Sequence, residues 1–99
     1  MNTNNFVTIA DELITRIADQ IEHSDPNGNK DIDLNGGILV INDERGTFVI
    51  NRQTPAKEVW LSSPISGPYH FFLNEDGKWI TKNSMLLEDV LSKEFSIQI

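Results

Sequence analysis

The sequence predicts an α+β fold: a two-layer sandwich in which a six-stranded antiparallel sheet carries an N-terminal and a C-terminal helix on a single face. Three observations predict it. Apolar residues recur at helical spacing only near the two ends of the chain, in 5–22 and 84–95. Between them lie six short runs rich in β-branched and aromatic residues, bounded by Gly, Pro, Asn or Asp. The connections between these runs are too short to hold crossover helices, so consecutive strands pair antiparallel. Ninety-nine residues support one core, and 1–99 is read as a single domain.

Each element has its own local reason. In 5–22, Phe6, Ile9, Ala10, Leu13, Ile17 and Ile21 share a stripe with Ile14 on its edge, while Asp11, Glu12, Thr15, Asp19, Glu22 and His23 fall opposite. Asn4 or Asn5 is the expected N-cap. Pro26 and Gly28 in SDPNGN (24–29) end the helix. DIDL (31–34) alternates charged and aliphatic residues, and Asn35-Gly36-Gly37 has the backbone freedom of a hairpin turn. ILVIN (38–42) and TFVIN (47–51) flank a four-residue loop, Asp43-Glu44-Arg45-Gly46. Pro55 breaks the pairing before KEVWLSS (57–63). PYHFFL (68–73) and KWITK (78–82) follow, separated by Asn74-Glu75-Asp76-Gly77. The closing helix, 84–95, is expected to be capped by Asn83 or Ser84 and to bury Leu87, Val90, Leu91 and Phe95. One sheet face then stays partly open to solvent.

Composition narrows the function classes. The net charge is −7, which argues against nucleic acid or an anionic membrane as partner, since phosphate contacts need clustered Lys and Arg. It favours cationic partners, either metal ions or a basic protein surface. With no cysteine, disulfide scaffolds, thiol catalysis, zinc ribbons and thiolate-held clusters are excluded. No apolar run approaches the ~20 residues of a membrane span. MNTNNFVTIADEL lacks the basic and apolar regions of a targeting peptide, so the cytoplasm is the expected compartment. The charge is uneven: residues 1–33 hold seven acids and two bases, a net −5, whereas 34–99 hold eight acids and six bases, a net −2.

The run NRQTPAKEVWLSSPISGPYHF (51–71), preceded by NGGILVI (35–41), resembles the frataxin family, specifically its bacterial CyaY-type members. The resemblance covers residues 6–91, and its signature, N-[RK]-Q-x-P-x-x-x-[VI]-W-L, is specific. It implies the same helix–sheet–helix fold. It also implies an iron-binding protein of iron–sulfur cluster assembly, one that donates iron to, or regulates, the complex of cysteine desulfurase and scaffold protein. It implies no established catalysis by the chain itself. The family's acidic ridge maps to Asp11, Asp19, Glu22, Asp25, Asp31 and Asp33, with Ala18, His23, Asn27 and Asn29 standing where acids are common. The family's partner-binding sheet surface maps to Asn51, Gln53 and Trp60. Where mitochondrial members carry a basic pair after Gly-Pro, this chain has Tyr69-His70. A monomer is expected, with an iron-driven oligomer as the alternative.

The residues themselves bear on these implications. Carboxylate oxygens suit hard cations such as Fe2+ and Fe3+, and without Cys there is no soft site. Asp19 and Glu22 are neighbours along a helix surface, and Asp31 and Asp33 project from one side of a strand. Such a site would be open, water-rich and weak, holding iron exchangeably. The same acids also fit a solvated helix face and an edge strand charged against aggregation. Acids near a helix C-terminus are unfavourable by ~0.3–1 kcal/mol, which favours a function for Asp19 and Glu22. DPNGNKDID is not a calcium loop, because Gly is at position four rather than six and position twelve is Gly36. His23 is either a nitrogen ligand or a plain helix-end histidine. His70 is expected to be a strand residue satisfied by hydrogen bonds. Alternation in V-W-L turns Trp60 away from Val59 and Leu61, onto the open face if the aliphatic pair is core. Trp79 is read as packing. Two rival functions remain: a pure protein-binding regulator of the desulfurase with incidental metal binding, and ferrous iron oxidation at the ridge.

Overall fold

The computed structural model describes residues 1–99 and opens with helix α1, Thr3–His23. The helix starts earlier than its apolar periodicity indicates because Asn2, not Asn4 or Asn5, is the N-cap. The extended backbone of Asn2 lets its side-chain oxygen accept the Asn5 N–H at 2.8 Å. Phe6, Ala10, Leu13, Ile14, Ile17, Ala18 and Ile21 are buried. That arc is centred between Ala10 and Ile21, so Ile14 belongs to it fully and Ile9, 36% exposed, stands at its rim. Past the helix, both carboxylate oxygens of Asp25 accept backbone N–H groups, from Asn29 and Lys30 at 2.9 Å each, and set the chain into the first strand.

Six strands follow: β1 Asp31–Asn35, β2 Ile38–Asp43, β3 Gly46–Gln53, β4 Glu58–Ser63, β5 Gly67–Leu73 and β6 Trp79–Ile80. They pair in chain order, every pair antiparallel. Gly36 and Gly37, at φ 59° and 80°, form the two-residue β1–β2 turn, a geometry that side chains resist. Asp43 pairs with Gly46, so the β2–β3 loop is two residues, Glu44-Arg45, rather than four. The expected strand 78–82 shrinks to two residues because Thr81 turns back: its N–H bonds the Met85 carbonyl at 2.9 Å, and Ile80 bridges to Leu86. This loop also delays helix α2, which spans Leu87–Phe95. Ser84 sits in the left-handed region, at φ 66°, and the N-cap position falls on Leu86, which has no capping oxygen.

The two helices share one face of the sheet. Phe6 of α1 meets Trp79 of β6 edge-on with centroids 6.2 Å apart, and Phe48 of β3 meets Phe95 of α2 at 4.7 Å. Leu39, Ile41, Ile50, Val59, Leu61 and Phe71 complete the sheet's side of a single core. Arg45 ties the β2–β3 turn to the end of α2. Its Nη2 lies 2.6 Å from Asp43 Oδ2, its Nη1 donates to the Glu94 carbonyl, and its guanidinium lies 4.8 Å from the Phe48 ring centroid. Glu94 in turn accepts from Ser63 and Ser66 at 2.6 Å each, fixing the β4–β5 turn.

Candidate metal ridge and docking face

Pleating decides where the acids of β1 go. Ile32 packs against the core, so Asp31 and Asp33, both exposed, lie on the opposite side of the strand, paired across the ladder with Asn42 and Val40. Being at the sheet's edge, β1 offers these carboxylates to water. Asp19, Glu22 and His23 lie exposed on the outward surface of α1. None of these five side chains enters an ion pair; the three in the protein join Arg45 to Asp43, Arg52 to Asp11 and Lys78 to Glu88.

Two of the sequence-selected acids have other partners. Asp11 pairs with Arg52 Nη1, and Arg52 Nε donates to Thr54 Oγ1 at 3.1 Å. This joins α1 to the end of β3. Asp25 spends both its oxygens on the turn after α1. Ala18, which stands where an acid is common on the ridge, is buried at the helix–sheet interface and belongs to the core. No three of the carboxylates and imidazoles converge closely enough to enclose a metal ion. Hard cations can therefore be met only by one or two carboxylates at a time, with water completing the shell.

On the open sheet face the ladder aligns Asn35, Ile38, Asn51, Trp60 and His70 in one row, one residue from each of β1 to β5. Gln53 lies in the adjacent row, paired with Glu58. Val59 and Leu61 are buried, and Trp60 is half-buried on the other side, as alternation predicts. Its indole Nε1 donates to Glu58 Oε1 at 2.9 Å. His70 makes no side-chain hydrogen bond. Instead its ring stacks on Trp60 with centroids 4.0 Å apart and planes 6° from parallel. Ile38 adds an apolar residue, 45% exposed, to the same row. Ile38 does not stand out in the sequence, and the stack of His70 on Trp60 replaces the hydrogen bonds expected of that histidine. Ile38 joins Trp60 only through the register imposed by the Gly36-Gly37 turn and the β2–β3 pairing, which was the one available signal.

The chain matches the frataxin-like domain family over residues 1–99. It is 39% identical to mitochondrial frataxin of Caenorhabditis elegans over 99 aligned residues, which cover 93% of this chain and 73% of that protein. It is 40% identical to the mitochondrial frataxin homolog of Schizosaccharomyces pombe, covering 89% of this chain and 60% of that one. Among solved structures, trimeric frataxin from Saccharomyces cerevisiae, complexed with ferrous iron, superposes with a TM-score of 0.78 at 35% identity, over 88% of this chain and 81% of that one. Frataxin from Psychromonas ingrahamii, of the CyaY protein family, gives 0.76 at 30% identity over 100% and 96%. Family match, sequence identity and a shared helix–six-strand–helix architecture agree: the chain belongs to the frataxin family.

Proposed function

We propose that this protein binds iron weakly and exchangeably at its acidic ridge and serves iron–sulfur cluster assembly, docking on the complex of cysteine desulfurase and scaffold protein as iron donor or regulator. The observation that carries the reading is the set of exposed carboxylates without cationic partners, Asp19, Glu22, Asp31 and Asp33. His23 is an auxiliary ligand in this reading. Asp11 and Asp25, already engaged by Arg52 and by the turn, shape the local field more than they bind metal. Asn51, Gln53 and Trp60 form the docking face. The chain is assigned no catalytic centre of its own and is of bacterial type, acting in the cytoplasm as a monomer. The yeast relative is trimeric, and iron-driven assembly of this chain is a second state to test.

Anaerobic titration with Fe2+, followed residue by residue by NMR, tests the ridge. Shifts and broadening confined to 11–33 support it, and perturbation centred on α2 or His70 overturns it. The absence of a three-carboxylate cluster favours one rival, a regulator that needs no metal. Desulfurase binding that is salt-sensitive and indifferent to iron would select that rival. Oxygen consumption with Fe2+, lost on neutralising the ridge, would select ferrous oxidation instead.

A further inference from the structure

We infer that His70 is a positioning residue of the open sheet face, holding the Trp60 indole in one presented orientation. This rests on the docking reading for its effect on partner binding, but its effect on Trp60 stands in the free protein. Two contacts immobilise the indole. Glu58 accepts from Nε1 at 2.9 Å, and the His70 ring covers one ring face at a centroid distance of 4.0 Å. The residues are direct cross-strand partners, Trp60 on β4 and His70 on β5, so the stack follows from the ladder register and needs no loop to form it. A half-buried aromatic held in a single rotamer loses less freedom on docking than a mobile one, which is how a fixed anchor contributes affinity.

The stacked His70 lines a surface depression of mixed charge. Glu58 of β4, Tyr69 of β5 and Lys82, just after β6, line the same surface depression as His70. Asn51, on the β3 side of Trp60, is uncharged.

The test uses the full chain with His70→Ala and His70→Phe. The readouts are the line width of the Trp60 indole N–H resonance and affinity for the desulfurase–scaffold assembly. In the wild type the indole resonance should be sharp. In His70→Phe it should stay sharp, with affinity within about twofold of wild type. In His70→Ala it should broaden, and affinity should fall about five- to tenfold, the fold-change worth one aromatic pair. An indole resonance as sharp in His70→Ala as in the wild type, or as broad in His70→Phe as in His70→Ala, overturns the inference. If the indole behaves as expected but no variant, wild type included, binds the assembly, then the docking reading fails and the positioning of Trp60 stands.

Discussion

Asp43 shows what one contact does to a carboxylate. The hydrogen bonds from the Arg45 side chain hold its carboxyl below the ordinary value of 3.8, with the Arg45 backbone N–H and the guanidinium charge adding to the effect against the cost of burial. A carboxyl lowered in the folded state stabilises the protein fully above its unfolded pKa, about 3.9, and loses that contribution as pH falls from there through the folded value. Asp43→Asn should therefore lower stability by about 1–2 kcal/mol at pH 7 and flatten the acid limb of a Tm-against-pH curve below about pH 4. An unchanged acid limb would show that the pair is idle. The two tryptophans should behave oppositely. Trp60→Ala should cost about 1 kcal/mol in stability while weakening docking, since the indole is half-buried on the open face. Trp79→Ala should cost about 3–5 kcal/mol, because that ring fills the core against Phe6. Thermal melts of both, with a binding assay on Trp60→Ala, check the assignment of faces.

At the scale of an element, α1 holds a conflict between stability and function. Asp19 and Glu22 are like charges three residues apart, near a helix C-terminus whose dipole disfavours them, at a few tenths to ~1 kcal/mol each. Replacing both by Lys should leave the helix equally or more stable at low ionic strength, a change readable as up to about 4–8 °C in Tm. The same variant should lose iron affinity and bind a basic partner more weakly. A lower Tm with normal binding would mean that these residues serve the fold alone. The first turn gives a sharper structural check. Asn2→Ala removes the capping oxygen and should cost about 1 kcal/mol, whereas Asn4→Ala should be near neutral.

At the scale of the molecule, the net −5 of residues 1–33 faces water along α1 and the edge strand β1, and α2 lies outside that stretch. Metal binding there should fade as salt rises from low ionic strength to 0.15 M, where exposed charges are screened within about 8 Å. Isothermal titration with Fe2+ at both salt levels measures it. Affinity independent of salt would point instead to a closed, buried site. The fold that presents this surface is a simple meander. A chain of polar contacts, Arg45–Glu94–Ser63 and Ser66, gathers the β2–β3 turn, the β4–β5 turn and α2 at one end of the sheet.

Residue order alone is enough for the class of fold, the order of its elements and the faces of its strands. Periods of two and 3.6 are local properties, and burial of Val59 and Leu61 leaves Trp60 no choice of side. It also located the charge, since charge is counted along the chain. It did not determine where helices begin when caps compete, as with Asn2 and the left-handed Ser84, because a cap depends on a backbone angle set by what precedes it. Nor could it pair Asp11 with Arg52, or His70 with Trp60, contacts that exist only once register and helix placement bring distant segments together. Spacing made Asp11 and Asp25 equivalent to the other ridge acids. The folded chain instead gives one Asp11 oxygen to Arg52, a contact between distant segments, and both Asp25 oxygens to the turn that follows it, leaving Asp19, Glu22, Asp31 and Asp33 without a cation partner.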